Sequence, residues 1–235
     1  MKYTNNNGKV YINRFGEPVM RVTQVIKVLN KDMLPAWANK IGLQGIKYQD
    51  ELNRTSKIGT TCHDVLEAYF SRNRLAVLDY EEAGITSYHD KLEVRRALES
   101  FFSWYRSFTK TRPFNALRTE QVVVGDYVGG TFDIILEGWD DPNKIIIGDY
   151  KTSSGFYLTQ FLQLAAYTMI YEEVYGPDTV EGVMLIRMDK KGKKGEHRII
   201  KRKNLDIYID LFKILQDVAM GMDVLKRVHW NVLEK

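Results

Sequence analysis

The spacing of apolar residues along the chain changes period several times, and each change marks a new element. From Lys9 to Arg21, two alternating segments flank Phe15-Gly16-Glu17-Pro18, which predicts a small hairpin. Thr23 reads as the N-cap of a short helix through Val28. From Asp32 to about Asn73 the pattern is mainly helical, with breaks near Gly42 to Gly45 and near Gly59. A long amphipathic helix follows over about Ser87 to Lys110, and Arg112-Pro113 ends it. The period then drops to that of strands. Glu120 to Val124, Val128 to Leu136 and Lys144 to Tyr150 are rich in β-branched residues, and the first two form a tight hairpin around Gly125-Asp126. Helical spacing returns over Leu158 to Tyr175. Val180 to Met188 and His197 to Lys201 predict two more strands, and a last helix spans about Leu205 to Val228. Helices, a strand meander, a helix, two strands and a helix imply an α/β protein whose mixed central sheet is flanked by helices. No internal repeat or low-complexity linker interrupts the pattern.

At 235 residues the chain is long enough for one α/β domain with a sizeable core, with or without a helical appendage. We expect a single domain over 1–235, with a mainly helical part and the hairpin over 1–112 and an α/β core over 113–235. No apolar run is long enough to span a membrane. Met1-Lys2-Tyr3-Thr4-Asn5-Asn6-Asn7 has neither the apolar stretch of a signal peptide nor the arginines of a transit peptide, so the expected location is the cytoplasm. Cys62 is the sole cysteine. That excludes an internal disulfide, a multi-cysteine zinc site and a four-cysteine iron–sulfur cluster, and leaves Cys62 as a small buried apolar residue. The net charge of +4 is compatible with a nucleic-acid partner without demanding one. The charge is uneven: the stretch from Arg187 to Lys203 is strongly basic, either a solvated hairpin tip or a phosphate-binding loop.

The densest chemistry lies in Ile145-Ile146-Ile147-Gly148-Asp149-Tyr150-Lys151. Side chains alternate across a strand, so Ile145, Ile147, Asp149 and Lys151 share one face, while Ile146 and Tyr150 share the other. The preceding strand carries Asp133, and pairing of the two strands lets Asp133 and Asp149 converge. Two carboxylates in a dry site repel each other. A divalent cation removes that conflict, and hard oxygen ligands suit Mg2+ or Mn2+. Such a metal polarises a phosphate oxygen and acidifies water, and an adjacent lysine orients that water or neutralises phosphate charge. A second Asp-x-Lys, Asp189-Lys190-Lys191, sits in the basic turn without an acid-bearing strand before it, and reads as surface. Gly59, His63 and Glu67 fall on one helical face, as do Gln160, Gln163 and Tyr167 on the helix after the Asp149 strand. Taken singly, His63 fits a satisfied polar residue, Tyr167 fits core, and the glutamines fit solvent. Phe101, Phe102, Trp104, Tyr105 and Phe108 recur at helical spacing, so core packing explains them better than base stacking. Trp37 beside Pro35 is a slightly better stacking candidate.

In order, Gly59-x-x-x-His63, Gly130-Thr131-Phe132-Asp133, Asp149-Tyr150-Lys151-Thr152-Ser153 and Gln163-Leu164-Ala165-Ala166-Tyr167 resemble the RecB-like exonuclease branch of the PD-(D/E)XK nuclease superfamily. A weaker likeness runs through Val22-Thr23-Gln24-Val25 and Leu34-Pro35-Ala36-Trp37, similar to the opening segment of phage exonucleases and of the mitochondrial single-strand exonuclease family. The resemblance implies a restriction-endonuclease-like core and one or two Mg2+ or Mn2+ ions. Asp133, Asp149 and the Tyr150 backbone carbonyl would hold metal, with Lys151 as catalytic lysine. His63 would contact a second metal or the phosphate, and Gln163 and Tyr167 would position the DNA. Glu120 would help order water at the metal. Lys190, Lys191, Lys193, Lys194, Arg198, Thr152 and Ser153 would contact nucleic acid. The iron–sulfur cysteines and the helicase P-loop of some relatives are absent, so a stand-alone enzyme is implied. It would be a metal-dependent exonuclease acting on single- or double-stranded DNA with free ends, in phage recombination, replication or degradation. Its location would be the host cytoplasm, with a strand-annealing or single-strand-binding protein as partner and no membrane. A structure-specific or restriction-like endonuclease, or a binding module that has lost catalysis, stands as the alternative.

Overall fold

The computed structural model describes residues 10–29, 33–72 and 79–233, with Met33, Leu34, Arg72 and residues 226–233 described through their backbone. Met1 to Asn7, Lys9 at the start of the expected hairpin, and Asp32 and Asn73 at the bounds of the first helical region lie outside the described residues. The elements in chain order are β1 (Tyr11–Ile12), β2 (Pro18–Arg21), α1 (Val22–Ile26), α2 (Met33–Gly42), α3 (Tyr48–Arg72), α4 (Tyr88–Phe108), β3 (Ala116–Val124), β4 (Val128–Glu137), β5 (Ile145–Lys151), α5 (Leu158–Tyr175), β6 (Val180–Arg187), β7 (Glu196–Lys201) and α6 (Asp206–Leu233).

The architecture is a mixed sheet between helical layers, as the alternation of elements implies. Its order is β1-β2-β4-β5-β6-β7, with β3 paired to β4. The hairpins β3–β4 and β6–β7 are antiparallel, and so is β4–β5. β5 and β6 are parallel neighbours joined through α5, the crossover a parallel pair requires. β5 lies between β4 and β6 and is buried over Ile145 to Tyr150, hence its unbroken isoleucine run. Ile147 and Val183 pack with α5 and α6 on one face, while Ile146 and Tyr150 pack with α3 and α4 on the other. α5 is buried around most of its circumference, because it lies among the sheet, α1 and α6.

Three expectations need correction. Arg21, and not Thr23, occupies the N-cap of α1, where its backbone N–H donates to Gln24 Oε1 at 2.9 Å. α3 runs unbroken through Gly59. A Cβ there would stand 3.4 Å from Thr152 Oγ1, an ordinary contact, so this glycine neither ends the helix nor is demanded by space. Asp189, read as surface, is 7% exposed. Its Oδ1 accepts the backbone N–H of Lys191 and Lys193, and its Oδ2 accepts from Arg187. A short acceptor just before the two lysine pairs is how such a turn is organised from inside.

The N-terminal hairpin does something the period alone does not convey. β2 joins the main sheet parallel to β4, with Met20 opposite Val128 and Arg21 opposite Gly129. β3 occupies one edge of β4 over Gly129 to Leu136, so β2 and β5 share the other. β5 takes it from Ile134 to Glu137. Between them, Gly130 to Asp133 line a fork in the sheet.

Candidate active site

β4 and β5 part above the pair Ile134–Gly148. Beyond that point the backbone N–H of Tyr150, which no longer has a carbonyl opposite, donates to Asp133 Oδ2 at 2.7 Å. The Asp133 carboxylate thus stands where the strand partner would have been, at the floor of the fork. Phe132 packs in the core beside α5 and Ile134 in the core beside α3, so side-chain alternation is broken around Asp133. On the neighbouring strand Glu120 has φ of 47°, an uncommon left-handed conformation for a non-glycine residue that concentrates at functional sites.

α3 brings His63 to this point, with Nδ1 3.4 Å from Asp133 Oδ2. One donor atom from each of His63, Glu120 and Asp133 lies within 4.8 Å of the others, the one such group among the described residues. Carboxylate oxygens and an imidazole nitrogen are a donor set that suits Mg2+ or Mn2+. Asp149 lies outside that trio but points from the adjacent strand. It is 1% exposed. Lys151 Nζ bonds Asp149 Oδ1 at 2.9 Å and comes within 2.7 Å of Oδ2. The Lys151 ammonium thus ion-pairs with both oxygens of the buried Asp149 carboxylate, at the strand end next to Asp133.

The electrostatics follow from burial and proximity. Burial pushes the Asp149 carboxyl up to about 6; Lys151 opposes this and Asp133 adds to it. Burial also works to raise Asp133, but His63, Lys151 and the Tyr150 N–H outweigh it and hold Asp133 below the usual carboxylate range. For His63 burial disfavours the charged ring, yet Asp133 beside it prevails and raises its pKa. Lys151 loses solvation but gains Asp149 and Asp133, with a net rise. Two interacting carboxylates with pKa values pushed in opposite directions fit acid–base and metal chemistry at one centre.

α5 closes the site from one side. Tyr167 is 4% exposed and stacks on Phe132 with centroids 4.4 Å apart. Its hydroxyl accepts from Gln163 Nε2 at 2.9 Å. A Cβ at Gly130 would come within 2.4 Å of Tyr167 Cε1, which explains the glycine before the Asp133 motif. The plainest readings hold for Tyr167 as core, for Cys62 (fully buried) and for Phe101, Trp104 and Phe108. They fail for Gln160, which is buried. Its Nε2 donates to Ser153 Oγ at 2.9 Å, and its Oε1 accepts from the Tyr157 N–H at 2.9 Å. Gln160 therefore fastens both ends of the loop that leaves Lys151. Its spacing with Gln163 and Tyr167 was visible in the sequence; its burial was not.

The nucleic-acid candidates separate into two places. Thr152 and Ser153 follow Lys151 directly, with Thr152 against Gly59. Arg198 lies in line with Asp149 across β6. The basic turn instead packs toward α4, where Gly195 N–H donates to the Ser100 carbonyl and Lys190 Nζ lies 3.7 Å from Glu93 Oε2. Lys191, Lys193 and Lys194 are exposed beside it. Trp37 meets Tyr48 edge-on at 5.3 Å, within the α2–α3 packing.

A family model described as the PD-(D/E)XK nuclease superfamily matches residues 38–229. No curated protein matches the chain. A solved structure described as "Crystal structure of SSO0001" is similar at 18% identity and a TM-score of 0.36, over 72% of this chain and 74% of that one. Among the described residues no helix is long and apolar enough to cross a membrane.

Proposed function

From the premise that the chain belongs to the PD-(D/E)XK nuclease superfamily, we propose that it is a divalent-metal-dependent DNA exonuclease, built as a single nuclease domain. The observation that carries this reading is the fork of the sheet, where Asp133 stands with His63 and Glu120 on one side and with Asp149 and Lys151 on the next strand. A bound Mg2+ or Mn2+ would polarise a phosphate oxygen and acidify the attacking water. His63, Glu120, Asp133 and Asp149 would hold one or two such ions, with the Tyr150 carbonyl at the same strand end. The chain's own groups do the rest. Lys151, fixed by Asp149, offsets charge gathering on the phosphate. Asp133, kept ionised by its neighbours, holds His63 in place. Gln163, braced by Tyr167, and Thr152 and Ser153 line the approach. The histidine and glutamine–tyrosine motifs, similar to those of RecB-like exonucleases of phages and mitochondria, favour attack from free ends in DNA recombination, replication or degradation.

The test is incubation with end-labelled linear DNA, single- and double-stranded, beside a covalently closed circle, with Mg2+, Mn2+ or chelator. Metal-dependent loss of linear DNA is expected, with the circle spared and with Asp149→Ala and Lys151→Ala at least about 100-fold slower. Cutting of the circle would replace the exonuclease with an endonuclease. Binding without turnover in every condition would reduce the protein to a DNA-binding module.

A further inference from the structure

Asp149, Leu185 and Arg198 are partners on three successive strands. Their side chains therefore share a face, and Arg198 stands two strand spacings, about 10 Å, from Asp149. Leu185 between them is fully buried. Arg198 itself is exposed, yet its guanidinium is held. Its Cζ lies 4.6 Å from the centroid of the Phe156 ring, and its Nη1 donates to the His197 carbonyl at 2.8 Å. Arg54, Arg187 and Arg202 are all committed to carboxylates. Arg198, among the described residues, joins no ion pair. Phe156 lies in the loop that begins at the catalytic strand's end and that Gln160 fastens. It is backed by Phe161 at 6.4 Å. The next residue, Tyr157, is 39% exposed, with its hydroxyl tied to Ser154 Oγ at 2.7 Å.

A guanidinium laid on an aromatic ring, with its outer face to solvent and no acid to neutralise it, is a flat, charged, pre-ordered surface. Such surfaces stack on nucleic-acid bases, because the guanidinium is planar and weakly hydrated and its outer N–H groups still reach phosphate. A base inside a duplex is covered on both faces and does not take such a partner; an unpaired base does. We propose that Arg198 on its Phe156 support, with Tyr157 beside it, is a stacking shelf for an unpaired base of the strand held at Asp149 and Lys151, and that the substrate is single-stranded DNA. The inference rests on the nuclease reading for what happens to that strand, but the shelf is testable by binding alone.

The experiment is fluorescence anisotropy, in chelator, with a labelled oligothymidylate, an abasic oligomer of equal length and a blunt duplex. Wild type should bind oligothymidylate about tenfold more tightly than the abasic oligomer. Arg198→Lys keeps the charge and loses the plane, so it should erase that difference while binding the abasic oligomer like wild type. Arg198 and Tyr157 are both exposed residues, so substitution there leaves the core intact, and Tyr157→Ala gives a second, independent reduction. Equal binding of the two oligomers by wild type, or an Arg198→Lys variant that still discriminates, overturns the shelf. The two readings fail separately. Metal-dependent cleavage without base discrimination removes the shelf and leaves the nuclease; base discrimination without cleavage does the reverse.

Discussion

Alanine at Gly130 isolates the packing logic of the site. Gly130 is absent from the residues with positive φ, so its backbone is open to any L-residue. In the unfolded state alanine has fewer conformations to lose, a gain of about 0.4–1 kcal/mol. The folded state opposes this, because a Cβ would lie 2.4 Å from Tyr167 Cε1 and 3.2 Å from Cζ. The ring has nowhere to go: it is 4% exposed, stacked on Phe132, and tied through its hydroxyl to Gln163. Overpacking of that kind costs about 1–3 kcal/mol, so Gly130→Ala should be destabilising by roughly 1–2 kcal/mol net. For a chain of this size that lowers Tm by about 2–8 °C. Tyr167→Val removes the ring and the clash with it. In that background Gly130→Ala should be neutral or slightly stabilising, a coupling of at least about 1 kcal/mol. Thermal and urea unfolding of the four proteins measures this directly. If Gly130→Ala costs the same with and without the ring, the glycine is there for some other reason and the packing account is wrong.

The pH response of metal binding has a definite sign. Asp149, raised to about 6 chiefly by burial, and His63, whose proton Asp133 favours, must both release protons before a cation binds. The Tm gain on adding Mn2+ should be several-fold larger at pH 7.5 than at pH 5.5, and an equal gain at both would refute it. In metal-free protein Asp149 acts oppositely: its contribution is present below about pH 4 and is lost as pH rises through 6. Gln160→Leu should cost about 1–3 kcal/mol through the two unmade bonds and lower cleavage at saturating DNA, because the loop after Lys151 loosens; unchanged kcat would show that the loop orders itself. Trp104 Nε1 donates to His197 Nδ1 at 2.9 Å, and burial, helped by Arg198 and Arg112, lowers the His197 pKa. The neutral ring's contribution is thus present above about pH 6.5 and lost as pH falls through the folded value. Trp104→Phe should be destabilising by about 1–3 kcal/mol, measurable by thermal unfolding at pH 7.5; no loss would mean that the bond is idle.

The periodicity of the sequence was sufficient for β3 to β7, α4 and α5, because each carries its own signal: β-branched alternation in the strands and a 3.6-residue apolar repeat in the helices. It was enough as well for the shared face of Asp149 and Lys151, which follows from strand geometry alone. The order of four short motifs carried the superfamily. Contacts between elements distant in sequence had no such local signature. A tight pair of strands says nothing of a third, so the parallel insertion of β2 beside β4, and with it the fork that exposes Asp133, arose only from tertiary pairing. Burial of Asp189 and Gln160 was equally hidden, since polar residues read as solvated until the groups that satisfy them are in place. Gly59 looked like a helix break because propensity is local, whereas the continuity of α3 through it depends on packing along the whole helix. What the sequence determined was each element's face; what the tertiary structure decided was which faces meet, because hydrogen-bond partners and close contacts are properties of pairs.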